Sequence, residues 1–289
     1  NISYEVRFKD SLNATKPQGA LMDVVAEVKR QHEAKNQPCS GIIYVHKRED
    51  CESLAKQISK ATGLVCLSYH AGLKDAEREA TQRKWTEGTC KVAVATVAFG
   101  MGIDKPDVRF VAHLDMPKTV ESYYQETGRA GRDGLPANAW LIYGLQDVIK
   151  LRQMMASSDG NEEYKRAEQH RLNAMLGFCE ITSCRRQVLL SYFGEKLEEP
   201  CRNCDTCLEP VDTWNGTEAC RMAISAAFRT DQRFGVNHLI DVLRGSHSDK
   251  IFQFEHQNLP VYGIGKDLDN NRWRSVYRQL VARGYMSVD

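Results

Sequence analysis

At 289 residues with a formal net charge of +1, the chain has room for about two domains, or three small ones. The charge argues against a polybasic protein that coats nucleic acid, though not against a local basic groove. Composition is that of an ordinary globular protein, 42% hydrophobic and 27% charged. No apolar run reaches membrane-spanning length and no signal-peptide pattern is present, so the expectation is a soluble intracellular protein with no membrane partner. Ten cysteines without a secretory signal point to thiols or metal rather than disulfides. The first residue is Asn rather than Met, which reads as a piece of a longer protein.

Ile2 to Phe8 alternates apolar and polar, which predicts a strand. Leu21 to His32 has helical spacing, and Gly41 to Val45 is a short apolar run that predicts a buried strand. Asp50 to Ala61 reads as an amphipathic helix, Leu64 to Tyr69 as a strand and Asp75 to Trp85 as a charged helix. Val92 to Ala95 and Val108 to His113 are β-rich, a helix comes next from about Val120, and Ala139 to Tyr143 makes a last strand. This alternation predicts an α/β fold, a doubly wound, mostly parallel sheet over residues 1–150. Ligands of such sheets gather at the carboxyl ends of the strands.

One stretch organises this region: Tyr123-Tyr124-Gln125-Glu126-Thr127-Gly128-Arg129-Ala130-Gly131-Arg132-Asp133-Gly134. Guanidinium groups are planar, permanently charged forks suited to phosphate oxygens. At i and i+3 on a helix, Arg129 and Arg132 would share one face. The plain alternative is a solvated Arg/Gly turn, with Arg132 paired to Asp133 or Glu126. Upstream stand Gly41-Ile42-Ile43-Tyr44-Val45-His46, Tyr69-His70-Ala71-Gly72-Leu73 and Val94 to Lys105 (VATVAFGMGIDK).

In this order the four segments resemble motifs IV to VI of superfamily 2 helicases. The wording ATVAFGMGIDKP and ESYYQETGRAGRDGLP resembles the RecQ family of DNA helicases, over nearly the whole chain. The resemblance implies a RecA-like lobe in which Arg132 is the finger that neutralises charge on the γ-phosphoryl group of ATP. Arg129 and Gln125 would hold the γ-phosphate. Thr96 would bond a DNA phosphate, and Gly100 and Gly102 would let backbone N–H groups approach DNA or nucleotide. Asp104 would reach the ATP ribose, or else caps a helix. Arg48 and His70 read equally as contacts to single-stranded DNA or as surface residues.

No G-x-x-x-x-G-K-[ST] occurs, nor an acidic run after an apolar strand to hold Mg2+. Gly263-Ile264-Gly265-Lys266 has the wrong spacing and context for a phosphate loop. The expectation is therefore a second lobe with its C-terminal accessory domains, unable to hydrolyse ATP alone.

Residues 151–212 read as a helical zinc-binding subdomain. Val148 to Met155, Tyr164 to Phe178 and a segment ending at Phe193 predict helices. Cys184, Cys201, Cys204 and Cys207 have the spacing C-x16-C-x2-C-x2-C. Two residues between thiolates let a tight turn bring both sulfurs to one tetrahedral ion, and four thiolates leave no open position, so the site is structural. A redox pair or buried free thiols are the competing readings, and Cys179 is a rival ligand better placed in the core. RecQ proteins carry a four-cysteine zinc subdomain here, which agrees. Arg185 and Arg186 face either DNA or solvent.

Residues 213–289 predict three helices: Thr217 to Arg229 with apolar Met222, Ile224 and Ala226-Ala227-Phe228; Val236 to Leu243; and Asn271 to Arg283 with Trp273, Val276, Tyr277 and Leu280 on one stripe. A strand begins at Gly284. Together they read as a winged helix stopping before its wing. Arg272, Arg274 and Arg278 lie off the apolar stripe, available to DNA phosphates. A packing or protein-binding winged helix is the alternative.

The whole predicts the C-terminal portion of an ATP-dependent 3′–5′ DNA helicase of repair and recombination, with the SOS response as its setting. Zn2+ is its structural metal, and ATP and Mg2+ serve the intact enzyme. Single-stranded and junction or duplex DNA are the expected partners, with a single-stranded-DNA-binding protein as a further one. The wording looks bacterial, which would place the protein in the cytoplasm at the nucleoid. The rivals are a non-enzymatic DNA-junction-binding module and a superfamily 2 RNA helicase.

Overall fold

The computed structural model describes residues 1–9, 25–26, 28–30, 40–96, 99, 105–157 and 160–287. Of the helix expected over Leu21 to His32, residues 25–26 and 28–30 are helical and the rest lie outside the described residues. Gly100, Gly102 and Asp104 also lie outside them. The chain forms two compact units, Asn1–Pro210 and Val211–Asp289.

The first unit is built on a six-stranded sheet: β1 (Ile2–Phe8), β2 (Ser40–Tyr44), β3 (Cys66–Tyr69), β4 (Val92–Ala95), β5 (Val108–His113) and β6 (Ala137–Tyr143). The strand order is β1-β6-β5-β2-β4-β3, and every pairing is parallel. A parallel sheet covered on both faces needs strands that are apolar on both sides, and all five residues of β2 are buried.

Because side chains alternate, neighbouring β2 residues feed different cores. Ile43 packs with α1 (Arg48–Thr62) through Cys51, Leu54, Ala55 and Ile58. Ile42 and Tyr44 pack on the other side with Trp85, Phe99 and Ala130. Trp85 comes from α2 (Asp75–Thr86), and α3 (Val120–Thr127) comes after β5.

Beyond the sheet come α4 (Leu145–Ala156), α5 (Glu162–Cys179), α6 (Arg185–Tyr192) and the single turn α7 (Asp205–Leu208). Strand β1 lies at the sheet edge, where unpaired backbone groups need a cover. The cover is the cysteine knuckle. Asp205 Oδ2 accepts from Val6 N–H at 2.9 Å, and Ile2 C=O accepts from the Arg186 guanidinium and from Asn203 Nδ2.

The second unit packs α8 (Thr217–Arg229), α9 (Val236–Arg244), α10 (Asp249–Gln253) and α11 (Asn270–Ala282) around one apolar core. Two expectations change here. The buried stripe of α8 is Ala219, Ala223 and Ala226, while Ile224 and Phe228 are exposed. Small side chains leave room for Tyr277, whose hydroxyl donates to Ala223 C=O at 3.4 Å. Residues 284–286 form turn and bend rather than strand. No described strand of this unit lies beside them to supply ladder hydrogen bonds. The Gly263-Ile264-Gly265-Lys266 stretch seats Trp273, whose indole N–H donates to Gly265 C=O at 2.8 Å. A Cβ on Gly265 would stand 2.4 Å from that ring.

Candidate nucleotide and zinc sites

Helix α3 starts at Thr119, whose hydroxyl accepts from Ser122 N–H at 3.1 Å, and it ends before Gly128. The two arginines therefore do not share a helical face. Gly131 stands between them at φ +63°, a left-handed conformation that breaks the helix and suits glycine. A Cβ there would meet Leu135 O at 3.0 Å and Asn1 Nδ2 at 2.5 Å. Nor does this turn lie at the carboxyl end of β5. Helix α3 folds back along the sheet, and Gly131 N–H donates to the C=O of Val108, the first residue of that strand, at 2.9 Å.

Gln125 and Arg132 are exposed and Arg129 is half-buried. Two carboxylates near Arg132 in sequence have partners of their own. Asp133 Oδ2 accepts from Arg109 Nη2 at 2.5 Å, and that bond holds the Asp133 carboxyl below the usual carboxylate range. Glu126 Oε2 lies 2.6 Å from His113 Nε2, both residues buried. Arg132 Nε reaches a backbone oxygen, Gly128 O, at 3.3 Å. Burial pushes the Tyr44 phenol up, and the nearby Arg129 charge offsets part of that.

A second group of candidates does sit at the carboxyl ends of the strands. Tyr69 and Ala95 are register partners at the ends of β3 and β4, so His70 and Thr96 come directly after adjacent strand ends. Thr96 is half-buried, and its N–H donates to Tyr69 C=O at 3.2 Å. Arg48 is exposed at the start of α1. It lies with His70 over Gly72, where a Cβ would meet His70 Nδ1 at 3.2 Å and Arg48 Nη1 at 3.3 Å. His70 is only 4% exposed, with Nε2 3.3 Å from Glu52 Oε1. Its place is beneath the surface that Arg48 presents.

Sγ atoms of Cys184, Cys201, Cys204 and Cys207 all lie within 4.8 Å of one another. Those of Cys184 and Cys204 are 4.0 Å apart. A tetrahedral ion with Zn–S bonds of about 2.3 Å separates its sulfurs by about 3.8 Å, so the donor set fits zinc. Backbone N–H groups of Cys201 and Asn203 point at the sulfurs of Cys184 and Cys201 at 3.3 and 3.4 Å. Burial opposes ionisation of Cys204, but donors around its sulfur, led by the Thr206 hydroxyl, outweigh burial and bring the thiol down to about 6. Cys179 is fully buried and burial pushes its thiol well up, so it belongs to the core. Burial likewise raises Cys51 to about 12 and Cys90 to about 11, the behaviour of inert thiols.

Neither alternative for Arg185 holds. It is 3% exposed, bonded through Nε to Asp205 Oδ1 at 2.6 Å and through Nη1 to Phe178 C=O at 3.0 Å. Arg186 lies over the Tyr4 ring at 5.8 Å. Arg185 braces the knuckle on the end of α5, and Arg186 fastens it to the lobe through Ile2 C=O. In the second unit Arg272 is exposed and Arg274 half-exposed. Arg278 is 7% exposed and donates to Ser275 Oγ at 3.2 Å, so it is not available to phosphates. Its long stem is buried although the position falls beside the apolar stripe.

The sequence reading missed Tyr44, Arg109, His113 and Asp205. The only signal for them was a polar or aromatic residue within or at the end of an apolar strand, or beside a cysteine.

Three family models match in tandem: "Helicase conserved C-terminal domain" over residues 20–134, "RecQ zinc-binding" over 145–208 and "RQC domain" over 210–289. The "ATP-dependent DNA helicase RecQ" of Haemophilus influenzae is 45% identical over 247 residues, 86% of this chain and 40% of that protein. The same-named protein of Pasteurella multocida is also 45% identical over 247 residues, 86% of this chain and 39% of its own. "ATP-dependent DNA helicase hus2/rqh1" of Schizosaccharomyces pombe is 40% identical over 250 residues, 85% of this chain and 19% of its own. The chain thus spans no more than 40% of these relatives' length. The lobe carries the arginine turn, the cysteine cluster is a structural zinc site, and the second unit is the winged-helix part. With all three matches in this order, the chain belongs to the RecQ family.

Proposed function

We propose that this chain supplies the second lobe, the zinc subdomain and a DNA-gripping winged helix to an ATP-dependent 3′–5′ DNA helicase acting in repair and recombination. Residues 1–150, 151–212 and 213–289 are the three parts. ATP and Mg2+ come to the protein on a first lobe, outside these residues, that carries the phosphate-binding loop. Relatives more than twice this length, named as helicases, support that arrangement.

Charge grows on the γ-phosphoryl oxygens as the bond to the leaving group breaks. Arg132 meets that charge with a rigid fork, Arg129 and Gln125 hold the γ-phosphate, and Asp104 takes the ribose. Thr96 and Arg48 grip phosphates of single-stranded DNA, with Gly102 allowing close approach and His70 supporting Arg48 from below. Arg272 and Arg274 serve duplex or junction DNA. A single-stranded-DNA-binding protein is the expected companion, and the bacterial wording puts the site of action at the nucleoid.

The observation that carries this reading is the place of Arg132: an exposed guanidinium directly after the left-handed Gly131 turn that breaks the helix. The test is ATP hydrolysis by the full-length protein with single-stranded DNA or RNA as stimulator. Stimulation by DNA, and its loss in Arg132→Ala, is the expected result. Stimulation by RNA alone would favour an RNA helicase. DNA binding without hydrolysis in the wild type would favour the junction-binding module.

A further inference from the structure

One buried cation ties the turn that carries Arg132 to the rest of the lobe. Every residue of β5 is buried, and Arg109 is the second of them. A charge inside an apolar strand is costly unless it is paired and hydrogen-bonded. Arg109, 6% exposed, meets that demand in two places. In the loop before the strand, Nε donates to Asp107 C=O and Nη2 to Pro106 C=O, each at 3.2 Å. In the turn beyond Arg132, Nη1 donates to Pro136 C=O at 3.1 Å and Nη2 to Asp133 Oδ2 at 2.5 Å. We propose that Arg109 is a positioning residue: its guanidinium locks the Arg132 turn to residues 106–107 and so sets where Arg132 meets the nucleotide. The inference rests on the proposed helicase reading and adds a residue to it.

Each end of the lock is itself fixed. Asp133 accepts from Leu135 N–H through its other oxygen, Oδ1, at 3.1 Å. Its own N–H donates to Pro106 C=O at 3.3 Å, so that carbonyl receives both the turn and Arg109. Gly131 N–H is tied to Val108 C=O at 2.9 Å. From the edge strand's side, Asn1 Nδ2 donates to Gly131 C=O at 2.5 Å and to Leu135 C=O at 2.9 Å. Residues 131, 133, 135 and 136 are thus all anchored, with the exposed Arg132 between the first two. At the other end, residues 106–107 come shortly after Gly102 and Asp104 in the sequence, so Arg109 joins two stretches that the nucleotide reading uses. A guanidinium offers five N–H groups in a rigid fork, and four are used here in two directions. A lysine ammonium would keep the charge beside Asp133 but could not serve three carbonyls set around one plane.

The test uses the full-length protein, wild type and Arg109→Lys, measured for ATP turnover across ATP and single-stranded DNA concentrations. A reacting group misplaced by about 1 Å can lose on the order of a hundredfold in rate, so loosening the turn should lower DNA-stimulated kcat by at least about tenfold. KM for ATP and the DNA concentration for half-stimulation should each move by less than about twofold, since the buried Arg109 touches neither ligand. In an Arg132→Ala background the same change should cost less than about twofold, because the group it positions is gone. Asp133→Asn, at the exposed end of the lock, keeps the shape and loses the charge. It should lower kcat by about threefold in the same pattern, and it carries the test if Arg109→Lys does not fold.

Unchanged kcat in the folded variants beside a normally stimulated wild type would overturn the inference. So would a full tenfold loss on top of Arg132→Ala, or a kcat loss accompanied by a rise in both concentration parameters, which would be a packing role. A wild type that DNA fails to stimulate would instead remove the helicase reading, and this inference with it.

Discussion

The zinc knuckle and the arginine turn are both short loops rich in functional residues, yet they are organised in opposite ways. In the knuckle the four sulfurs converge on one another, within 4.8 Å, and a metal ion satisfies them. In the turn the two arginines differ: Arg129 is half-buried and Arg132 is exposed. A structural site closes on itself, while the turn, on the proposed reading, presents an arginine to a substrate from elsewhere. The knuckle is also more than a metal clip. Through Asp205, Arg186 and Asn203 it covers the edge strand of the lobe that presents the arginines.

That contrast can be broken most severely by removing the metal. Chelation, or Cys204→Ser, should release zinc and lower the Tm by roughly 10 °C or more. The damage should spread to β1, read as faster hydrogen exchange at the Val6 amide that Asp205 covers. If exchange at Val6 stays unchanged while zinc leaves, the knuckle does not hold the edge.

Asp205→Ala asks how much of this coupling runs through one carboxylate. It strands the buried Arg185 guanidinium, and breaking a buried pair from one side costs roughly 3–5 kcal/mol. Denaturant unfolding with zinc retained should show that loss.

A smaller effect is expected in the turn itself. Gly131→Ala puts a side chain into a left-handed conformation against Leu135 O, at a cost of roughly 1–2 kcal/mol. Unlike the knuckle variants it should leave zinc content untouched and lower turnover. Equal turnover would mean that the turn geometry does not set the arginines.

A pH-dependent effect concerns the buried pair His238 and His256 in the second unit, with Nε2 and Nδ1 2.8 Å apart. Burial, then the charge of its partner, lowers His238 to about 4, and burial lowers His256. Both therefore stay neutral when folded, and the unfolded chain binds the proton first. Their contribution is full above about pH 6.5 and falls as pH drops toward 4, by at most about 1.4 kcal/mol per pH unit for each proton. NMR titration of the two rings, with thermal melts at both ends of that window, checks the sign. Stability that rises on acidification would contradict it.

Much of this was legible in the sequence because it is local. Alternation in Ile2 to Phe8 and short apolar or β-rich runs elsewhere marked the strands, and ligand spacing marked all four cysteines. The unread part is non-local. Asp133 sits beside Arg132 in sequence yet bonds Arg109 across a turn. Arg185 sits beside a zinc ligand yet serves Asp205. Arg278 falls off the apolar stripe yet is buried. In each case a long cationic side chain chose a partner that sequence proximity does not indicate. The single-turn helix α7 was missed for a related reason: four residues hold too few turns to show a period.

On the proposed reading, Arg132 acts on the transition state and not merely on ATP binding. The direct measurement is ATP affinity and turnover for full-length wild type and Arg132→Ala side by side. The expected result is a Kd within about threefold and a kcat lower by roughly a thousandfold or more. Unchanged turnover, or a loss confined to affinity, would contradict it.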